Sequence, residues 1–274
     1  MSAATRMSLN VYTVREQWDL REAIEGCARH GVPAIAPWRD KLAEIGVEEA
    51  AKLIADNGLA VSSLCRGGMF PAADAAGRQA AIDDNRRALD DAAALGAACL
   101  VLVVGGLPDG SKDLPDARRQ VEDGIAASLE HAREIGVPLA IEPLHPMYAA
   151  DRACVNTLSQ ALDICDTLGE GVGVIVDVYH VWWDPELEAQ IQRAGRERIL
   201  GFHVCDWLVP TTDLLLDRGM MGDGVIDLPR IRRWVEAAGF EGYTEVEIMS
   251  AQNWWKRDPD EVVRICLERM QTVV

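Results

Sequence analysis

Along this chain one phrase recurs: apolar residues at helical spacing, then a glycine, then a short and almost wholly apolar run. The joints fall at Gly31, Gly58, Gly96, Gly136, Gly169, Gly195 and Gly239. A glycine just past a helix takes the left-handed position at no steric cost. Seven joints, plus a first strand near Leu9–Thr13, predict eight strands, each followed by a helix. Between Leu114 and Gly136 the apolar positions Ala117, Val121, Ile125, Leu129, Ala132 and Ile135 keep close to a 3.6-residue period. Asp184-Pro185 and Asp258-Pro259 each read as an N-cap followed by proline at the first helical position, and Glu261 stands at capping-box distance from Asp258. Short apolar strands alternating with helices predict a parallel sheet covered by helices. Eight units predict an α/β fold closed into a (β/α)8 TIM barrel. An open doubly wound sheet would usually carry a glycine-rich phosphate turn after strand one, and Asn10-Val11-Tyr12-Thr13 is not one. The 274 residues suit a single barrel domain over 1–274, with 1–7 a flexible start.

Barrel chemistry sits at the C-terminal ends of the strands. Strand five, Pro138-Leu139-Ala140-Ile141, ends in Glu142, with His145 just beyond. Strand six ends in Asp177, with His180 beyond it. Strand seven ends in His203, with Asp206 beyond, and strand eight carries Glu245 and Glu247. A lone carboxylate at a strand end is usually a helix cap or a surface group. Four consecutive strands that each finish an apolar run with one ligating side chain point to a shared ion instead, because a buried carboxylate is costly unless it is paired or holds a metal. The expected ligand set is Glu142, Asp177, His203 and Glu247. Glu245 shares Glu247's face but lies deeper and needs a partner of its own. Three carboxylates and one imidazole suit Mn²⁺, Mg²⁺ or Co²⁺ better than zinc.

Composition narrows the partners. With 44 acidic against 27 basic residues the net charge is −17, which disfavours nucleic acid and anionic membrane surfaces. No apolar run is long enough to span a bilayer. Seven cysteines without a CxxC pair, and no apolar leader at the start, fit free thiols and a cytoplasmic location. Cys205 reads as a small packing residue, and His30 and His131 as structural. Eight tryptophans against three phenylalanines cluster beyond strand ends. Trp38 and Trp182 are expected to wall a substrate pocket, with Arg66 and Arg218 supplying polar contacts.

The motifs Ile141-Glu142-Pro143, Val176-Asp177-Val178-Tyr179-His180, Phe202-His203-Val204-Cys205-Asp206, Arg218–Asp227 and Val246-Glu247-Ile248 resemble the sugar phosphate isomerase/epimerase superfamily, with its xylose-isomerase-like TIM barrel. The likeness covers essentially the whole chain. It implies one divalent ion, commonly Mn²⁺, on Glu142, Asp177, His203 and Glu247. It further implies that Glu142 and Glu247 act as acid and base on opposite faces of a substrate carbon, through a metal-stabilised enediolate. His180 and Arg218 would contact substrate oxygens, although Met220-Met221 before Gly222 departs from the usual loop. The implied enzyme is an isomerase or epimerase. Because no phosphate cradle is visible beyond Arg66-Gly67-Gly68, a neutral keto-sugar or cyclitol is expected.

Glu142-Pro143-Leu144-His145-Pro146 is also similar to the large subunits of C-glycoside deglycosidases. That likeness implies a lyase that eliminates the aglycone of a 3-keto-glycoside, with His145 acting on the phenol and a small second subunit. Otherwise a homo-oligomer is expected. The endonuclease IV relatives share the fold but use a histidine-rich three-metal cluster. Five histidines and the acidic charge argue against that reading.

Overall fold

The computed structural model describes residues 6–274. The chain runs β1 (Met7–Asn10), α1 (Leu20–His30), β2 (Ala34–Ala36), α2 (Arg39–Ile45), α3 (Val47–Asp56), β3 (Ala60–Val61) and β4 (Leu64–Gly68). It continues with α4 (Ala75–Leu95), β5 (Leu100–Val103), α5 (Leu114–Ile135), β6 (Leu139–Ile141), α6 (Leu158–Leu168) and β7 (Val172–Asp177). There follow α7 (Val178–Val181), α8 (Leu187–Arg198), β8 (Ile199–Val204), β9 (Asp206–Trp207), β10 (Arg218–Gly219), α9 (Leu228–Ala237), β11 (Thr244–Val246) and α10 (Pro259–Thr272).

Nine strands form one sheet in the order β3-β2-β1-β11-β8-β7-β6-β5-β4. The two ends of that order are neighbours in sequence, parted only by Ser62 and Ser63. They are one strand with a break in it. On one side Ser62 and Cys65 donate to Ile35 and Pro37 carbonyls at 3.1 and 3.0 Å. On the other, Leu64 donates to the Cys99 carbonyl at 3.0 Å and Ala98 to that of Val61 at 3.1 Å. The barrel therefore closes with eight staves through an interrupted third one. All eight pairings within the sheet are parallel. This is the expected (β/α)8 TIM barrel.

The seven joint glycines all have positive φ, from 57° at Gly195 to 93° at Gly239; six follow helices, and Gly195 instead marks a kink within α8. Two boundaries differ from the sequence reading. Strand one begins at Met7 and ends at Asn10, after which Val11–Val14 turn into a short 3-10 helix. Met7 is thus fully buried in a strand and not part of a loose start; residues 1–5 lie outside those described. Asp184 does not cap α8, which starts at Leu187; it instead accepts from the Glu186 N–H at 2.9 Å in the preceding turn. Asp258 caps α10 as expected, accepting from the Glu261 N–H at 3.0 Å.

The two-residue period of the strands sorts the core. Leu9, Leu100, Leu102, Leu139, Ile141, Val174, Val176, Phe202, Val204 and Val246 pack outward in the large cluster beneath the helices. A smaller cluster fills the barrel: Cys65, Cys99, Val101, Ala140 and Ile175. Continuing that inward parity along each strand leads to Asn10, Glu142, Asp177, His203, Glu245 and Glu247, all buried polar residues. The small filling stops where the polar layer begins.

Candidate metal centre

Glu142 is the first residue past β6, and its N–H extends the ladder to the Leu102 carbonyl at 3.1 Å. Asp177 ends β7 and caps α7, accepting from the Tyr179 N–H at 2.8 Å. His203 lies in β8, in register with Asp177 on one side and Glu245 on the other. Glu247 follows β11, its N–H held by the Val204 carbonyl at 3.1 Å. One ligand atom from each of Glu142, Asp177, His203 and Glu247 lies within 4.8 Å of the others, and all four residues are buried.

The donor set fits a cation. Both ring nitrogens of His203 are buried without a hydrogen-bond partner, although Glu142 Oε1 stands 3.2 Å from Nδ1. That separation, misaligned for a hydrogen bond, matches the roughly 3 Å between neighbouring donors on an ion held at about 2.1 Å. The local charge agrees. Burial pushes the Glu247 carboxyl up to about 8; Arg218 opposes this, while Glu142 and Asp177 add to it. Burial resists charging of His203, yet Glu245, Glu142 and Glu247 raise its pKa to about 10. The carboxylates demand positive charge at this point.

Arg218, fully enclosed at the start of β10, supplies part of it. Its Nη1 donates to Glu247 Oε2 at 2.8 Å and Asp177 Oδ2 at 3.2 Å, and the guanidinium lies 4.4 Å above the Tyr179 ring. His180 accepts the His145 N–H on Nδ1 at 3.2 Å and places Nε2 3.3 Å from Arg218 Nη2. Burial, then Arg218, pushes His180 well below the usual histidine range, so it is neutral. Its two ring nitrogens thus each face an N–H group, and Nε2 also stands 3.6 Å from Asp177 Oδ2. Glu245 has the separate partners its depth requires: Asn10 Nδ2 donates to Oε1 at 2.8 Å, and the Ser62 and Ser63 hydroxyls to Oε2, each at 2.9 Å. The same Asn10 amide reaches Glu247 Oε1 at 3.2 Å.

Beside the donors lies a small, partly open cavity of about 30 Å³. Glu142, Glu247, His180, Arg218, Arg66 and Trp38 line it, bringing together most of the residues expected from sequence. Asp177 and His203 lie deeper, each 1% exposed. Trp38 stacks on Tyr12 with ring centroids 3.6 Å apart, and its Nε1 donates to Asn10 Oδ1 at 2.9 Å.

Two expected residues are not brought to the lining. The His145 ring stacks 5.2 Å from Trp207 and edge-on to Trp183, and its Nδ1 accepts the Met147 N–H. Trp182 packs towards Trp207 at 5.8 Å. The tryptophan wall thus reduces to Trp38, because Trp182 packs towards Trp207 and Trp183 towards His145. Asp206 serves the motif loop, accepting from Gly222, Gly224 and Ile226 N–H groups at 2.8–3.0 Å. Cys205 is buried packing whose thiol burial pushes up. Sequence reading missed Asn10 as a site residue, although it ends strand one, and missed Tyr148, Arg152 and Leu215 in the lining. Tyr148 ends a one-turn 3-10 helix and Arg152 and Leu215 sit on irregular loops, none with a periodic signal.

No curated protein matches the chain. A Sinorhizobium meliloti 1021 protein of known structure is 65% identical over 98% of each chain, with a TM-score of 0.97. The IolI protein, solved with a zinc atom bound, is 21% identical over 98% of each chain at a TM-score of 0.85. The 3-keto-D-glucoside 4-epimerase of E. coli is 18% identical over 98% of this chain and 99% of its own, at 0.76. Residues 24–270 match the family model described as the xylose isomerase-like TIM barrel, and to that family the chain belongs.

Proposed function

We propose that the protein is a divalent-metal-dependent isomerase or epimerase of a keto-sugar or cyclitol. One observation carries the reading. Glu142 and Glu247 enter a single buried cavity from strands three places apart in the sheet, beside two further donors suited to an ion. A divalent ion held by Glu142, Asp177, His203 and Glu247 would polarise a carbonyl and its neighbouring hydroxyl. The chain's own groups do the rest. Glu142 and Glu247 flank the bound carbon and take or return its proton. His180 meets the substrate oxygens from the cavity wall, and Arg218 keeps the Glu247 carboxylate in place. Trp38 and Leu215 narrow the mouth against water. The donor set favours Mn²⁺, Mg²⁺ or Co²⁺. The epimerase fold neighbour supports this class, and the zinc bound by the IolI protein supports a cation as part of it. The glycoside-eliminating alternative places His145 over the substrate, and that ring faces Trp207 and Trp183 instead.

The test is solvent-deuterium incorporation into free ketoses and 3-keto-glucosides by metal-stripped protein, with and without added Mn²⁺, Mg²⁺ or Co²⁺. Exchange is expected only with a cation, and Glu247→Gln and Glu142→Gln should each slow it by at least about 100-fold. Exchange that survives chelation, or is unimpaired in both variants, removes the proposed chemistry.

A further inference from the structure

Two arginines flank the cavity without a carboxylate in ion-pair contact. Arg66 in β4 and Arg152 beyond β6 both line it. Among the described residues neither guanidinium takes part in an ion pair or hydrogen bond, whereas Arg39, Arg193 and Arg218 each hold acidic partners. In a chain of net charge −17, two unanswered cations at one hole are conspicuous. Burial, followed by the charge of Arg152, lowers the pKa of half-buried Arg66; the pair repels until an anion joins it.

Both arginines are carried on fixed backbone. The strap bearing Arg152 is tied to the end of β5 by Gly105 N–H to the Arg152 carbonyl at 3.0 Å, Leu107 N–H to that of Ala150 at 2.7 Å and Cys154 N–H to that of Gly105 at 2.9 Å. The end of β4 is clamped by Asn85 in α4, which accepts from the Gly68 N–H at 2.7 Å and donates to its carbonyl at 2.8 Å. The arginines are thus presented in advance of binding.

We propose that the substrate carries a carboxylate, which Arg66 and Arg152 grip beside the four-donor centre. This deepens the isomerase reading, on which it rests for the reacting end of the molecule, and replaces the expectation of a neutral substrate. Carboxylate is favoured over phosphate by the state of the backbone. Phosphate sites draw on free N–H groups in glycine-rich turns or at helix starts. At the end of β4 and on the segments that follow β4 and β5, the Gly68, Met69, Phe70 and Gly105 N–H groups are all engaged within the protein. What remains is two guanidinium forks, which match a planar carboxylate.

The experiment is calorimetric titration of Mn²⁺-loaded and metal-free protein with three acid–neutral pairs: gluconate and glucitol, glucuronate and glucose, tartronate and glycerol. In at least one pair the acid should bind about tenfold or more tighter, as charge-assisted hydrogen bonds require. The advantage should persist without metal, fall away in Arg66→Gln and Arg152→Gln, and return in part in Arg152→Lys. Unchanged melting temperatures of the variants establish that folding is intact. Equal affinity for acid and neutral members of all three pairs overturns the proposal. So does an advantage that disappears with the metal yet survives both Gln substitutions, which would place the carboxylate on the ion. Inorganic phosphate binding more tightly than every acid, with the same dependence on arginine, overturns the carboxylate in favour of a phosphate. These outcomes do not depend on deuterium exchange, so failure of the isomerase reading and failure of this one are separable.

Discussion

Glu245 and Glu247 stand two residues apart on one face of β11, yet their surroundings assign them different tasks. Glu245 is well partnered: Asn10, Ser62 and Ser63 donate three hydrogen bonds to its two oxygens. It lies 3.5 Å from His203 Nε2, on the ring edge opposite Glu142. An acceptor behind a ligating imidazole fixes the ring and raises its basicity, and its loss typically weakens metal affinity about 10–100-fold. Glu245→Gln is therefore expected to weaken Mn²⁺ binding by about that factor, measured by titration of the metal-stripped protein, while leaving the barrel folded. Unchanged affinity would reduce Glu245 to a partner of Asn10 and the serines. Glu245→Ala should differ in kind. It strands Asn10 and two hydroxyls, and unfolding by denaturant should show a loss of about 1–3 kcal/mol.

The elements show which parts of this molecule are written in its residue pattern. Strands β6, β7 and β8 were legible as largely apolar runs and β11 by its alternation of Glu245, Val246 and Glu247, so Glu142, Asp177, His203 and Glu247 marked their own positions. The third stave was legible only in outline. Its interruption at Ser62-Ser63, which frees two hydroxyls for Glu245, depends on a carboxylate contributed from 182 positions along the chain. Arg152 was not legible at all. The strap that carries it is held by hydrogen bonds to the Gly105–Leu107 turn, and no local periodicity encodes that contact. Gly106 sets the fit: a Cβ at this position would lie 2.3 Å from the Ala150 carbonyl oxygen and 2.7 Å from Asp151 N. Those are backbone atoms that cannot rotate aside. Gly106→Ala should accordingly push the strap outward, destabilise the protein by about 1–3 kcal/mol and weaken binding of the acid probes more than that of the neutral ones. Denaturant unfolding and the same titrations report both effects. Retention of full stability and acid preference would show that the strap has slack.

Over the whole molecule the imbalance of charge is greatest where water is scarcest. Glu142, Asp177, Glu245 and Glu247 are buried together, and Arg218 is the buried guanidinium that faces them. Such a cluster is unstable dry unless protons or a cation enter it. Without an ion, protons fill that role, and this gives stability a definite dependence on pH. Glu247 rises from 4.5 to about 8 and His203 from 6.5 to about 10 on folding. For a group whose folded pKa is raised, the folded state holds more protons, so stability falls as pH rises. The Glu247 contribution is complete below 4.5 and gone above about 8, and that of His203 is complete below 6.5 and gone above about 10. The metal-stripped protein should therefore melt at progressively lower temperature from mildly acidic to alkaline pH. A divalent cation competes with those protons and binds more tightly as they leave. At about 100 times its dissociation constant it should add about 2.7 kcal/mol, a rise of roughly 5 °C in melting temperature for a chain of this size. At fixed cation concentration the rise should grow with pH until the cation form is nearly insensitive to it. A melting temperature indifferent to Mn²⁺, Mg²⁺ and Co²⁺ at every pH, or a cation effect that shrinks as pH rises, would mean that Arg218 and bound protons alone satisfy the carboxylates and that no ion resides at the barrel mouth.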